Sequence, residues 1–253
     1  YQRKPPRPFV PGLEAAGIVK ALGKSAAMHA PHLHPGDRVV ASLDWGAFGG
    51  RARGHWSNVH PIPPAMSFEN ATAFAGSYPT AYGALVWRAR LQEGEWLLVH
   101  AAAGGVGSAA VEIGRHLGAR VIATASTADK VAFARERGAE HGIVVRDGSP
   151  FFEQVRAITG GQGADVVFDP VGGNVLIESL RCIAKEGRAL TIGYAGGAIP
   201  QIPANTLLLK NCSVMGFNLG EYFGWGIVDE RVRHAPRLRA MMAELMRLYE
   251  IDA

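Results

Sequence analysis

A doubly wound α/β fold built on a parallel sheet is what this sequence predicts for its larger part, and three observations carry the prediction. From about residue 94, short apolar runs of strand length alternate with amphipathic stretches of about 10 to 15 residues, the pattern of strands joined by crossover helices. A glycine-rich segment, His100-Ala-Ala-Ala-Gly104-Gly105-Val106-Gly107, falls between the first of these strands and its helix. Glycine itself makes up 32 of 253 residues, about 13% against roughly 7% in average proteins. These glycines are dispersed among apolar runs with no collagen period. The excess therefore belongs at turns and where backbone approaches something closely.

The elements follow in order. Residues 1–75 read as irregular β structure, with short apolar segments (Ala16–Ala21, Arg38–Ser42) separated by turns such as Pro35-Gly36-Asp37. Trp96–His100 is a compact apolar strand. Gly104–Gly118 carries Val106, Ala110, Ile113 and Leu117 at helical spacing. Arg120–Ala125 is the next strand, and Ala128–Arg137 a helix with Val131 and Ala134 inward. Gly142–Val145 is a short strand, after which Ser149-Pro150 reads as an N-cap and first helical residue of a helix running to about Thr159. Asp165–Asp169 is a continuous apolar strand closed by Pro170. Asn174 is expected to cap a helix through Lys185, and Ala189–Gly193 is a further strand. The last helix, about Pro236–Glu250, aligns Leu238, Met241, Met242, Leu245 and Leu248 on one face.

Composition narrows the function. The net charge is +4, and no run of Lys or Arg exceeds three residues, so no nucleic-acid footprint is expected. Cys182 and Cys212 are too few for a disulfide scaffold or a cysteine-rich zinc site, and reduced thiols in the cytoplasm are the expectation. No apolar stretch reaches the ~18 residues of a membrane span. The chain opens Tyr1-Gln2-Arg3-Lys4-Pro5-Pro6 without an initiator Met or a signal peptide, which suggests a piece of a longer protein.

The glycine segment reads as a dinucleotide fingerprint, Ala102-x-Gly104-x-x-Gly107. Gly104 lets backbone approach a pyrophosphate, Gly107 lets helix and strand pack closely, and Gly105 and Val106 open a helix whose free N–H groups favour phosphate. Its first position is Ala, so the strand before and the helix after supply much of its weight. A tight turn without a ligand is the competing reading. An NAD-preferring site places a carboxylate about 20 residues on. Here that stretch is Thr124-Ala125-Ser126-Thr127-Ala128-Asp129-Lys130. Ser126 can donate to a 2′-phosphate and Lys130 can pair with its charge, which points to NADPH. The other reading leaves Lys130 as a solvated helix residue and gives the ribose to Asp129.

At this point the chain resembles the medium-chain dehydrogenase/reductase superfamily, in its zinc-independent, ζ-crystallin-like quinone oxidoreductase branch. The resemblance rests on Pro8-Phe9-Val10-Pro11-Gly12-x-Glu14-Ala-Ala-Gly17, Pro35-Gly36-Asp37-Arg38-Val39, Ala101–Gly107, Asp165-Val-Val-Phe-Asp169-Pro-Val-Gly-Gly173 and Ile202-Pro-Ala-Asn205-x-Leu-Leu-Leu-Lys210-Asn211. It implies a Rossmann domain over 76–253, including the C-terminal helix, and an incomplete GroES-like β domain over 1–75 lacking its opening strands. It implies hydride transfer from NADPH to a quinone or an α,β-unsaturated carbonyl. Thr80, in Tyr78-Pro79-Thr80-Ala81, matches the family's Thr beside the nicotinamide. A Thr that caps the following helix is a compatible second role. Asp169 and Val171 end the fourth strand at the sheet's carboxyl edge, and the backbone of Gly193, Tyr194 and Ala195 is the expected partner of the carboxamide. Tyr1 aligns with a tyrosine of the active cleft and is the one proton-donor candidate.

The resemblance also speaks to metal. Zinc-dependent members carry Gly-His-Glu where this chain has Gly12-Leu13-Glu14, and Leu13 cannot ligate; no catalytic metal is expected. Glu14 is expected to order its loop, and His29, His32 and His34 to be surface histidines. His100, at a strand end beside the glycine loop, is read as structural. Relatives carry an aromatic where this chain has Val144-Val145, and the neighbouring Arg146 could substitute for it electrostatically. The segment 211–218 reads as an edge strand that pairs with a second copy in a homodimer, which would account for apolar Val214, Met215 and Phe217. An enoyl-thioester reductase, and a non-catalytic NADPH-binding protein of structural or regulatory role, are the alternatives.

Overall fold

The structure is a computed structural model and describes residues 5, 7–145 and 150–252. Strand β1 (Glu14–Ile18), helix α1 (Lys24–His29), β2 (Arg38–Ser42) and β3 (Val59–Pro61) open the chain. The three strands form an antiparallel sheet in the order β1-β2-β3, with Glu14 opposite Ser42 and Val39 opposite Pro61. The turn into β2 is set by Gly36 at φ 98° and by Asp37, whose carboxylate accepts from the His34 amide at 2.6 Å. Helix α2 (Phe68–Tyr82) follows and holds Pro79 inside it, leading into a π-helical turn over Gly83–Ala89.

The alternation then follows: β4 (Trp96–Val99), α3 (Gly105–His116), β5 (Arg120–Ala125), α4 (Ala128–Glu136), β6 (His141–Val144), α5 (Phe152–Ile158), β7 (Ala164–Asp169), α6 (Gly173–Cys182), β8 (Ile183–Thr191), α7 (Ala204–Lys210) and β9 (Ser213–Gly216). Two elements depart from the sequence reading: the helix expected through Lys185 ends at Cys182, so that β8 begins at Ile183 rather than Ala189, and α7 was not anticipated. All six strands are parallel, in the order β6-β5-β4-β7-β8-β9. Chain direction through the sheet thus reverses between β4 and β7, and that reversal opens a crevice at the strands' carboxyl ends. Every residue of β4 is buried, as a central strand covered on both faces requires.

Local chemistry fixes the helix starts, not always as the sequence suggested. Thr127 caps α4, its hydroxyl accepting from the Lys130 amide at 3.3 Å. Asn174 does not cap α6. It lies inside the helix, and the N-cap is Gly172, whose φ of 75° makes a turn that a side chain would strain. The Ser149 cap of α5 lies outside the described residues. That helix is capped from α6 instead, where Glu178 Oε1 accepts from the amides of Phe151 at 2.5 Å and Phe152 at 3.1 Å.

After β9 come the short α8 (Leu219–Tyr222) and the long α9 (Arg231–Asp252), which buries Leu238, Met241, Met242 and Leu245 as its periodicity demands. The chain divides into two compact units, Tyr1–Pro79 with Asn218–Ala253, and Thr80–Phe217. The units meet at residue 79/80, where the sequence reading put a boundary at 75, and the C-terminal helix groups with the first of them. The reason is in the contacts of the first unit. Arg231 donates to Asp44 at 3.1 Å, Asn58 donates to the Phe223 carbonyl at 3.0 Å, and Tyr249 meets Phe74 edge-on. Among the described residues no helix is long and apolar enough to cross a membrane.

Candidate functional site

The carboxyl ends of β4, β5, β6 and β7 surround a cleft of about 350 Å³ in the second unit. It is lined by His100, Ala101, Ala103, Gly104, Thr124, Ala125, Ser126, Lys130, Val145, Phe151, Val171 and Val175. Five of these residues come directly after a strand: His100 and Ala101 after β4, Ser126 after β5, Val145 after β6, and Val171 in the turn after β7.

The glycine loop is built from its backbone. Ala101 takes φ 48°, a left-handed conformation uncommon outside glycine, and its carbonyl accepts from the Gly104 amide at 2.8 Å. Ala102 is wholly buried and its amide donates to the Thr124 carbonyl at 3.0 Å, tying the loop to the end of β5. Gly104 is the N-cap of α3 and is exposed, as is Gly105. The first-turn amides of Gly105, Val106 and Gly107 have no carbonyl behind them within the helix, and with the dipole they form an anion-binding helix start. A Cβ on Gly107 would lie 2.8 Å from the Ala101 carbonyl carbon and 3.0 Å from Ala102 Cα, so glycine is what permits this approach.

The other sequence-derived residues fall in three groups. Ser126 and Lys130 meet on the cleft wall, with Lys130 Nζ donating to Ser126 Oγ at 3.2 Å, while Asp129 is not among the lining residues. Val171 lines the cleft, whereas Asp169 is fully buried beneath it. The Asp169 carboxylate accepts from the amides of Val171 at 2.8 Å and Gly172 at 3.1 Å. Burial pushes its carboxyl above the ordinary carboxylate range, against the pull of those two amides. Gly193, Tyr194 and Ala195 pack on the same turn, Ala195 donating to the Pro170 carbonyl at 3.0 Å, but they do not line the cleft. Thr80 also lies outside the lining set. It sits within α2, directly after Pro79, so it is not a helix cap. Tyr1 and Arg146 lie outside the described residues.

Val145, Phe151 and Val175 were not anticipated as cleft residues, because apolar side chains at helix and strand spacing read as core. The available signal was position: Val145 directly follows β6, while Phe151 and Val175 stand at the starts of the helices that follow β6 and β7. His100 is both core and wall. It is 1% exposed, its Nδ1 lies 2.8 Å from Thr124 Oγ1 and its Nε2 2.7 Å from Ser179 Oγ, and Phe151 meets its ring edge-on. Burial lowers its pKa from 6.5 to about 3, so the imidazole is neutral.

In the first unit, Glu14 begins β1, half-buried, and burial raises its carboxyl above the ordinary range, against a backbone hydrogen bond. A Cβ on Gly76 would come within 3.1 Å of its Oε1, so the carboxylate is held against α2. His29 ends α1 and stacks on Trp56. Among the described residues no three His, Cys, Asp or Glu side chains gather where they could share a metal ion. The cleft fits a dinucleotide better: an exposed glycine-led helix start, a hydroxyl–ammonium pair and an apolar wall share one cavity.

The edge strand is β9, paired on one side with β8. Phe217, expected to be covered by a second copy, is already buried within the chain. Its ring lies over Gly83, leaving no room for a Cβ there.

Comparison with known proteins accords with this geometry. Residues 105–233 match the family described as zinc-binding dehydrogenase. Quinone oxidoreductase-like protein 2 of Rattus norvegicus is 39% identical over 223 residues, 88% of this chain. The chain spans 62% of that relative's length. Among solved structures, the Escherichia coli quinone oxidoreductase complexed with NADPH superposes with a TM-score of 0.79 at 30% identity, covering 96% of this chain and 73% of that one. The CurK enoyl reductase gives a TM-score of 0.79 at 28% identity, covering 96% and 69%. The chain belongs to the zinc-binding dehydrogenase family, within the quinone oxidoreductase branch of the medium-chain dehydrogenase/reductase superfamily.

Proposed function

We propose that this chain carries the cofactor-binding part of an NADPH-dependent, zinc-independent oxidoreductase that reduces a quinone or an α,β-unsaturated carbonyl. The observation that carries the reading is the Ser126–Lys130 pair, 3.2 Å apart on the wall of the cleft that begins at Gly104. A hydroxyl donor and an ammonium there, with no carboxylate in the lining, suit a 2′-phosphate and disfavour a bare ribose. The likeness to the E. coli enzyme, solved with NADPH, supports the same choice.

When bound, NADPH supplies the hydride at its nicotinamide ring. The chain's residues bind, orient and exclude water. The free amides of Gly105, Val106 and Gly107 would hold the pyrophosphate, with Gly104 letting it approach and Ala102 locking the loop from below. Val145, Phe151, Val171 and Val175 keep the cavity apolar. Asp169 acts at one remove, fixing the Val171–Gly172 turn through its two amide bonds. The backbone of Gly193, Tyr194 and Ala195 orients the carboxamide, Thr80 steadies the ring, and Tyr1 is the proton donor. Zinc independence is supported by Leu13 beside Glu14. The buried free thiols Cys182 and Cys212 suit a reducing, cytoplasmic setting. The open side of β9 supports a homodimer with the sheet continued through Ser213–Gly216 of a second copy, and sedimentation measures it.

The likeness to CurK favours a second reading, reduction of an enoyl thioester. The experiment is titration with NADPH followed by addition of a 1,4-quinone, an enone or an enoyl thioester, with NADPH oxidation as readout. Binding with turnover of the quinone or enone supports the first reading, turnover of the thioester alone the second. Binding without any turnover makes this a non-catalytic NADPH-binding protein. Lys130→Ala should raise the NADPH Kd about tenfold at low salt and leave NADH unchanged; equal losses would sink the cofactor assignment.

A further inference from the structure

We infer that His100 is a positioning residue of the cofactor cleft, the middle link of a one-way hydrogen-bond chain that fixes the Thr124 hydroxyl at the end of β5 relative to α6. The inference deepens the NADPH reading and rests on it.

The direction of the chain follows from its last member. Ser179 Oγ lies 2.7 Å from the Val175 carbonyl, which can only accept, so the single hydroxyl hydrogen of Ser179 is committed there. Toward His100, 2.7 Å away, Ser179 can then only accept, and Nε2 must carry the imidazole's hydrogen. The ring is neutral, so Nδ1 is a lone pair. It accepts from Thr124 Oγ1–H at 2.8 Å. The sequence is Thr124 O–H to Nδ1, Nε2–H to Ser179 Oγ, and Ser179 O–H to the Val175 carbonyl. No other proton arrangement satisfies all three bonds.

Two consequences reach the cleft. His100, Thr124 and Val175 all line it, so the chain runs from one wall to another beneath the glycine loop. The Thr124 hydroxyl has spent its hydrogen on His100, so its remaining capacity toward a ligand is that of an acceptor. The Thr124 carbonyl also holds Ala102, so a shift of this residue is passed to the loop that starts α3. Neither imidazole nitrogen is left for proton transfer, which separates a positioning role from a catalytic one.

The test uses the whole chain and NADPH, with Kd by titration and thermal midpoint measured side by side. Thr124→Val, nearly isosteric, removes the first bond; His100→Phe removes both bonds to the ring. Each should raise the NADPH Kd about five- to tenfold, and the double variant should be no worse than the worse single one, because the three groups act as a unit. His100→Asn, whose side-chain carbonyl can still accept from Thr124 but whose amide ends short of Ser179, should restore only part of the affinity. A merely structural role would lower the midpoint and leave Kd in place. Wild-type Kd in Thr124→Val and His100→Phe, or fully additive losses, would overturn the proposal. If His100→Phe does not fold, Thr124→Val decides it. Wild-type protein that binds no NADPH would instead overturn the cofactor reading, and this proposal with it.

Discussion

Gly107 is where backbone geometry makes the strongest demand on this chain, and Gly107→Ala tests it. An added Cβ would meet the Ala101 carbonyl carbon at 2.8 Å and Ala102 Cα at 3.0 Å, both main-chain atoms of the loop that α3 grows from. The Ala101 carbonyl oxygen would be nearer still, so ordinary contact would require roughly an ångström more, and no rotamer change supplies it. Alanine's better helix propensity favours the variant by about 1 kcal/mol, while overpacking costs about 1–3 kcal/mol, so the net loss is up to about 2 kcal/mol. For a chain of this size that corresponds to a fall in Tm of about 4–8 °C. The binding loss should be larger in proportion, at least tenfold in NADPH Kd, because pushing the start of α3 away from Ala101 and Ala102 moves the first-turn amides proposed to hold the pyrophosphate. Gly114→Ala is the internal control. It lies seven residues along the same helix, and its Cβ would meet Leu97 Cδ2 at 2.5 Å, a core side chain rather than main-chain atoms of the glycine loop, so it costs stability without touching the helix-start amides. Paired thermal melts and NADPH titrations on both variants decide the matter. Wild-type affinity in Gly107→Ala, or an equal loss in Gly114→Ala, would refute the reasoning.

Two further outcomes follow from buried charge. His60 and His100 are held neutral, burial lowering each pKa from 6.5 to about 3. Their folded values lie below the unfolded one, so stability is full above pH 6.5 and declines as pH falls toward 3, by about 1.4 kcal/mol per pH unit for each histidine. His100→Phe should give a shallower decline in denaturation midpoint over that range, and a slope equal to wild type would count against it. Arg231, 8% exposed, donates to Asp229 at 2.8 Å and to Asp44 at 3.1 Å. Arg231→Met should cost about 1–2 kcal/mol in chemical denaturation, because the two carboxylates it leaves behind are partly solvated and can rehydrate.

What the sequence made legible was chiefly what backbone imposes. The strand–helix alternation placed five of the six strands of the parallel sheet within two residues, with β5 at Arg120–Ala125 as read, but gave the first residues of β8 (Ile183–Thr191) to the preceding helix. The glycine loop announced both the start of α3 and a ligand that backbone must approach. Ser126 and Lys130 were readable because a strand tip without a carboxylate is itself informative. What escaped was long-range pairing. Glu178 caps α5 from another helix 26 residues away, so no local cap signal at Phe151 existed to be read. Arg231 reaches Asp44 across 187 residues, and that contact, with the apolar face of α9, places the C-terminal helix in the first unit. Amphipathic periodicity said which face of α9 was buried but not against what.

The cleft's apolar wall was illegible for a different reason. Val145, Phe151 and Val175 sit where the core of a doubly wound sheet emerges at its carboxyl edge, and Phe151 is 1% exposed while still facing the cavity. Such a residue is packed from behind and open in front, so composition, burial and periodicity all class it as core. Only topology separates the two: the sheet order reverses between β4 and β7, and whatever follows those strands must face the crevice. The same rule explains why His100 is at once a buried tie and a wall residue. In this fold the site is not added to the core; it is the end of the core, and the residues that hold the strand tips together are the ones that shape the cofactor's cavity.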